Sequence, residues 1–180
     1  MIFFTSDLHI GHDKPFLYEP RGFSSIVDHD TAVLDNWNSI VTDEDTVYIL
    51  GDLCLGQDIL EQNRIFYNLK GIKKFIYGNH DTSTRIERYK NDYNMEDLGY
   101  ANVLKYSKKY TLYLSHYPTF CSNMDDEIRH HYVINLCGHT HFKEKFFNNN
   151  RYIYNVSLDA HNCYPVSIDD IMKDIREFKS

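Results

Sequence analysis

Short apolar runs at residues 2–6 (Ile-Phe-Phe-Thr-Ser), 46–50 (Thr-Val-Tyr-Ile-Leu) and 73–77 (Lys-Lys-Phe-Ile-Tyr) each break off directly into a polar cluster. Apolar and β-branched runs of this length, bounded by polar residues, predict buried strands that end in functional loops. Between them the period changes. Ile26, Val33, Leu34, Trp37 and Ile40 within 25–40, and Ile59, Leu60, Ile65, Phe66 and Leu69 within 58–69, recur at helical spacing. The order strand, helix, strand, helix, strand predicts a parallel sheet with right-handed crossovers, in which ligands gather beyond the carboxyl ends of the strands. Asp7, Asp52 and Asn79 all fall there.

The second half has a different rhythm. Residues 82–97 are polar with helical character around Ile86 and Tyr89, and strands are predicted at 101–106, 110–115, 132–137 and 151–156. These read as a mostly antiparallel sheet. Ser107-Lys108-Lys109 predicts a tight hairpin connection, and Asn148-Asn149-Asn150 another, because Asn tolerates left-handed turn conformations. A last helix is expected after Pro165, with Ser167 as its N-cap, Asp170 three residues on, and Ile168, Ile171, Met172, Ile175 and Phe178 on one face. The irregular stretches 10–23 and 117–127 are candidates for walls over a site.

A chain of 180 residues has room for a real core but not for a second domain of ordinary size, so a single domain over 1–180 is expected. The 42% hydrophobic content and 15 tyrosines argue for a folded globule. The formal charge of -7 argues against a protein that holds long nucleic acid on a broad basic surface. It does not exclude an anionic substrate, since bound divalent ions would reverse the field locally. Cys54, Cys121, Cys137 and Cys163 form no Cys-x-x-Cys pair, and neither a signal peptide nor an apolar run of bilayer length is evident. A reduced, cytoplasmic setting without membrane contact is the resulting expectation.

Five clusters of metal-ligand residue types follow one another along the chain: Asp7-Leu8-His9, Gly51-Asp52, Gly78-Asn79-His80-Asp81, His116 and Gly138-His139-Thr140-His141. If the first strand persists through Asp7 and His9, both side chains project to one side. The same holds for His139 and His141 in an extended segment. Asp52 has two oxygens with which to bridge two ions, and Asn79 offers a neutral oxygen ligand. His80 is placed to protonate a leaving oxygen, with Asp81 orienting its imidazole. Taken singly, each cluster has an ordinary structural explanation, such as a helix cap, an Asx-turn or a core histidine. Their ordered recurrence at successive strand ends is what points to a site with two divalent ions, for which nitrogen and oxygen ligands suit Mn, Fe, Zn or Ni.

In these motifs the chain resembles the calcineurin-like metallophosphoesterase superfamily, whose pattern runs Asp-x-His, Gly-Asp, Gly-Asn-His-Asp/Glu, His and Gly-His-x-His. Thr-Ser-Asp-Leu-His-Ile-Gly-His and Ser-His-Tyr-Pro look like the small phosphoesterases of bacteria and their phages. The resemblance implies a four-layer α-β-β-α sandwich of two mixed sheets flanked by helices. It implies one ion, manganese foremost, on Asp7, His9, Asp52 and His141, and a second on Asp52, Asn79, His116 and His139. A hydroxide between the ions would attack phosphorus, with His80 serving the leaving group and Asp81 supporting His80 from behind. The segment Gly51-Asp52-Leu53-Cys54-Leu55-Gly56 lacks the further charged residue that many relatives carry after the bridging Asp.

The expected activity is hydrolysis of a small, nucleotide-like phosphomonoester or phosphodiester. His12, Lys14, Tyr18 and Arg21 after the first ligands, and Tyr117, Arg129, His130 and His131 after His116, are candidate substrate contacts, His12 and Arg21 foremost. His29 and His161 read as bystanders. A nuclease is the rival among enzymes, and a metal-bearing scaffold of the same fold is the rival among binding proteins, although no ligand position is missing. A helical His-Asp phosphohydrolase is disfavoured because His80 follows an apparent strand.

Overall fold

A computed structural model of the chain describes residues 1–119 and 131–178. Cys121, Arg129 and His130, with most of the 117–127 stretch, lie outside the described residues. The first sheet contains β1 (Ile2–Thr5), β2 (Thr46–Leu50), β3 (Ile72–Ile76), β4 (Glu96–Asp97) and β9 (Val166–Ser167), in the order β4-β3-β2-β1-β9. All its pairs are parallel except β1 with β9. The second sheet has the order β5-β6-β7-β8, from Ala101–Lys105, Tyr110–Ser115, Tyr132–Cys137 and Ile153–Asn155. The α/β sandwich of two mixed sheets flanked by helices is thus the observed architecture.

Alternation along the first sheet divides its side chains between two cores. Phe3, Val47, Ile49 and Phe75 pack with Val33 and Trp37 of α2 (Ile26–Ile40), Ile65 and Phe66 of α3 (Ile59–Phe66) and Tyr89 of α4 (Ser83–Asn91). Their neighbours Phe4, Tyr48, Leu50 and Ile76 face Leu112, Leu114, Ile134, Leu136 and Tyr154 of the second sheet. A one-residue slip would exchange the two sets, so the register is fixed twice over. α5 (Ile168–Glu177) adds Ile168, Ile171, Met172 and Ile175 to the core between the sheets.

The local signals behave as the chemistry requires. Ser25 accepts from the Asp28 amide at the start of α2, and Ser167 does the same for Asp170 at the start of α5. The Ser107 turn joins β5 to β6, with the Tyr106 and Ser107 amides donating to the Tyr110 carbonyl. Asn148 and Asn149 take φ of 49° and 54° and return the chain so that Phe146 bridges Tyr154 in antiparallel fashion.

The mostly antiparallel second sheet is a misreading. Only β5 with β6 is antiparallel, whereas β6 with β7 and β7 with β8 run parallel. Apolar alternation reports which face is buried and carries no information on strand direction. The long connections 116–131 and 138–152 supply the length a parallel crossover needs. Parallel direction has a functional consequence: it brings the carboxyl ends of β6 and β7, and so His116 and Gly138, to the same edge.

Candidate metal centre

The strands stop before the ligands begin. β1 ends at Thr5, yet the Asp7 amide donates to the Gly51 carbonyl at 3.1 Å, and those of His9 and Ile10 donate to Asp52 and Leu53 at 3.0 Å. The loops after β1 and β2 are therefore laced together. Asp7, His9, Asp52, His139 and His141 have φ of 57°, 50°, 55°, 71° and 53°. The expected extended Asp-x-His and His-x-His segments are not formed. Left-handed backbone at a residue with a side chain costs about 1–3 kcal/mol and persists where surrounding structure enforces it, as at functional sites. Five such residues converge here.

Their side chains form two adjoining groups. In the first, His9 Nε2 lies 3.2 Å from His141 Nε2, and both lie 3.8 Å from Asp7 Oδ1. In the second, Asn79 Oδ1 lies 2.9 Å from His116 Nε2 and 2.9 Å from His139 Nδ1, and those two nitrogens are 3.2 Å apart. Asp52 Oδ2 stands between the groups, 3.8 Å from His9 Nε2 and 3.5 Å from His116 Nε2. An ion with bonds of about 2.1 Å holds neighbouring ligand atoms roughly 3.0–3.5 Å apart, close to these spacings.

Proton placement makes the fit specific. His116 Nδ1 donates to the Leu50 carbonyl at 2.9 Å, which leaves a lone pair on Nε2 of the neutral ring, facing the acceptors Asn79 Oδ1 and Asp52 Oδ2. His141 Nδ1 donates to Asp159 Oδ2 at 2.9 Å, so its Nε2 lone pair faces His9 and Asp7. Asp7 Oδ2 accepts from Ser6 Oγ and the His139 amide, while the buried Asp7 Oδ1 has no hydrogen-bond partner. Acceptors turned toward acceptors, with an orphaned carboxylate oxygen among them, are reconciled by a cation. The seven residues expected as ligands come together here, and their donor set fits divalent ions that take nitrogen and oxygen.

Charge in the pocket follows from burial. Burial, with the neighbouring His141, Arg21 and His12, drives the His9 pKa far below the usual histidine value. Burial raises that of Asp52 against the opposing pull of His116. Burial also lowers His139, with His116 adding to the effect. His141 is raised: burial opposes its charge, but Asp159 and Asp7 outweigh it. The lowered values keep His9 and His139 neutral, the ligating form, whereas an ion on His141 would have to displace a proton that Asp159 and Asp7 favour.

Two expected roles are corrected. Arg21 is not a substrate contact. Its buried guanidinium grips Asp159 through Nε at 3.0 Å and Nη2 at 2.7 Å, the Asp7 carbonyl at 2.9 Å and His29 Nε2 at 2.9 Å, leaving it no reach into solvent. Asp81 does not support His80 from behind. Its oxygens accept from the amides of Asp52, Leu53 and Gly78 and from the Tyr89 hydroxyl, so it shapes the turn that presents Asp52. His80 is 43% exposed, its amide held by Asp52 Oδ1 and its Nε2 4.0 Å from Asp52 Oδ2. His12 borders the first group, its ring 5.5 Å from His9, and Tyr117 lies against His139 at 4.6 Å. Tyr18 is buried, and His131 is tied to Thr111 and Lys108 at the far end of β6.

Residues to which the sequence assigned no role complete the support. Asp159 receives both His141 and Arg21, which together pull its pKa well below the carboxylate range in spite of burial. His29 is no bystander: it accepts from Arg21 and donates to Asp30, whose other oxygen holds the Gly11 amide at 2.8 Å. A hydrogen-bonded path thus runs from the loop after β1 through α2 to His141.

No family model matches the chain. It is 32% identical over 185 residues to the uncharacterized protein MJ1445 of Methanocaldococcus jannaschii, across 99% of this chain and 93% of that one. To the gene 66 protein of Mycobacterium phage D29 it is 31% identical over 201 residues, across 98% of each. The crystal structure of AQ665, a protein of unknown function from Aquifex aeolicus, superposes with a TM-score of 0.73 at 23% identity, covering 96% of this chain and 98% of that one, which shows a shared fold. Full-length similarity at this level settles kinship: the chain belongs to the family that includes MJ1445 and the phage gene 66 protein.

Proposed function

We propose that the protein is a phosphoesterase of the calcineurin-like metallophosphoesterase type, working with two divalent ions, manganese foremost, on a small phosphomonoester or phosphodiester. The observation that carries this reading is Asp52 Oδ2 standing between two groups of lone-pair donors, each with one histidine, His141 or His116, whose opposite nitrogen is already committed to a protein acceptor. Asp7, His9, Asp52 and His141 would hold one ion, and Asp52, Asn79, His116 and His139 the other. Ions held there would supply Lewis-acid charge at the phosphoryl oxygens and a nucleophile from water at neutral pH.

The chain's own groups do the rest. His80, exposed at the mouth and anchored through its amide to Asp52, holds a proton toward the departing ester oxygen. Asp81 fixes the main chain of Asp52, and Asp159 keeps the His141 lone pair directed inward. Cytoplasmic residence accompanies this reading, since Cys54 and Cys163 are buried thiols.

The test uses manganese-loaded protein on paired aryl phosphomonoester and phosphodiester substrates, with bound metal counted. Wild type turns over one class, Asp52→Asn loses bound metal together with turnover, and His80→Ala keeps both ions and loses about 10²–10⁴-fold in rate. Full activity of Asp52→Asn after chelation would refute the reading.

A further inference from the structure

Beside the first metal group lies a cavity of about 240 Å³ lined by Phe16, Leu17, Pro20, His141 and Asp159. It is built by α1, the single turn Pro15–Tyr18. Leu17 and Tyr18 anchor this turn in the protein, with 5% and 8% of their surface exposed, whereas Phe16 is 73% exposed. A phenylalanine left in solvent on an anchored turn, opposite the outer face of a metal-ligating histidine, is apolar surface that folding does not use. His141 of the first metal group lines the cavity, and His12 packs edge-on against Phe16 at 5.7 Å and lies 5.5 Å from His9, so the cavity adjoins that group.

We propose that this cavity holds the planar ring of an aryl or nucleoside phosphate ester whose phosphoryl group sits at the metal groups. The inference rests on the phosphoesterase reading and adds the class of substituent. Size selects a single ring system: the volume falls below the roughly 300–1,000 Å³ of sites for larger organic ligands. Wall chemistry selects a flat apolar face, because Phe16, Leu17 and Pro20 offer carbon. The one carboxylate present, Asp159, already has both oxygens occupied by Arg21 and His141. With no lining side chain among the described residues free to read a base edge, the ring is recognised by stacking, which tolerates many aromatic rings. Different nucleobases are accordingly accepted with similar affinity.

Phenylphosphonate and methylphosphonate share a non-hydrolysable head group and differ in the ring, so their affinities for the manganese-loaded protein isolate the cavity. Calorimetry on wild type is expected to show phenylphosphonate binding about tenfold tighter. Phe16→Ala, an exposed substitution remote from the core, brings the ratio toward one with methylphosphonate affinity and metal content unchanged. Tyr117→Ala, on the other flank of the site, leaves the ratio intact. Methylphosphonate binding without a ring advantage, or a ratio that responds to Tyr117→Ala and not to Phe16→Ala, overturns the cavity assignment alone. Failure of both phosphonates to bind overturns it together with the phosphoesterase reading.

Discussion

At the scale of single residues, the most consequential side chain is one without a motif. Asp159 receives the Nδ1 proton of His141 and a two-pronged grip from Arg21, and the same guanidinium holds the Asp7 carbonyl. One arginine therefore ties two members of the first metal group that lie on opposite sides of the molecule's sequence. Replacing the carboxylate by an amide keeps the shape but weakens the hold on both Arg21 and His141. Asp159→Asn is expected to lower manganese affinity at one of two sites by about 10–100-fold, the usual effect of removing a histidine's outer partner. Titration calorimetry reads this directly, and an unchanged two-site isotherm would show that Asp159 serves only packing. The candidate ligands were legible because Asp7, His9, His139 and His141 fall in the short local patterns Asp-x-His and His-x-His, while Asp52, Asn79 and His116 each follow an apolar run. Arg21 and Asp159 meet across 138 positions, and no local pattern encodes such a pair. A loop arginine looks identical in sequence whether it waits for phosphate or is buried on a carboxylate.

Among elements, the ends of strands matter more than the strands themselves. Gly138 closes β7, in the second sheet, against the end of β1, in the first. A methyl group there would lie 2.0 Å from Ser6 Oγ and 2.2 Å from Asp7 Oδ2. Gly78, after β3, meets Asp52 Oδ1 at 2.1 Å in the same way. These glycines permit two backbones to approach a carboxylate more closely than any side chain allows. Gly138→Ala is expected to push Asp7 out of the first group, reducing bound manganese from two ions toward one while far-UV circular dichroism keeps its native shape. Two ions bound at wild-type affinity would show that the approach is not needed. Element type and most boundaries were readable from periodicity and from the cap at Ser167. Direction in the second sheet was not, because alternation is the same for parallel and antiparallel partners.

For the whole molecule, the site joins five loops, following β1, β2, β3, β6 and β7, and thus pins both sheets at one edge. It also concentrates an electrostatic cost. Asp7 and Asp52 are buried within a chain of net charge -7, and Asp52 has its pKa raised by that burial. Divalent ions would offset this cost in the folded state, whereas the unfolded chain scatters the ligands from residue 7 to residue 141. Binding to the folded form alone adds about 2.7 kcal/mol per site when free metal is a hundredfold above Kd. At roughly 2–4 °C per kcal/mol for a chain of this size, manganese should raise the melting temperature by about 5–10 °C per occupied site over a chelated sample. Asp52→Asn, which removes the oxygen shared by both groups, should show a much smaller rise at the same metal concentration. Scanning calorimetry with manganese and with chelator checks both. Equal melting temperatures in the two conditions would mean that these loops are held by protein contacts alone, and would remove the metal from the account of how the two sheets are kept in register at their functional edge.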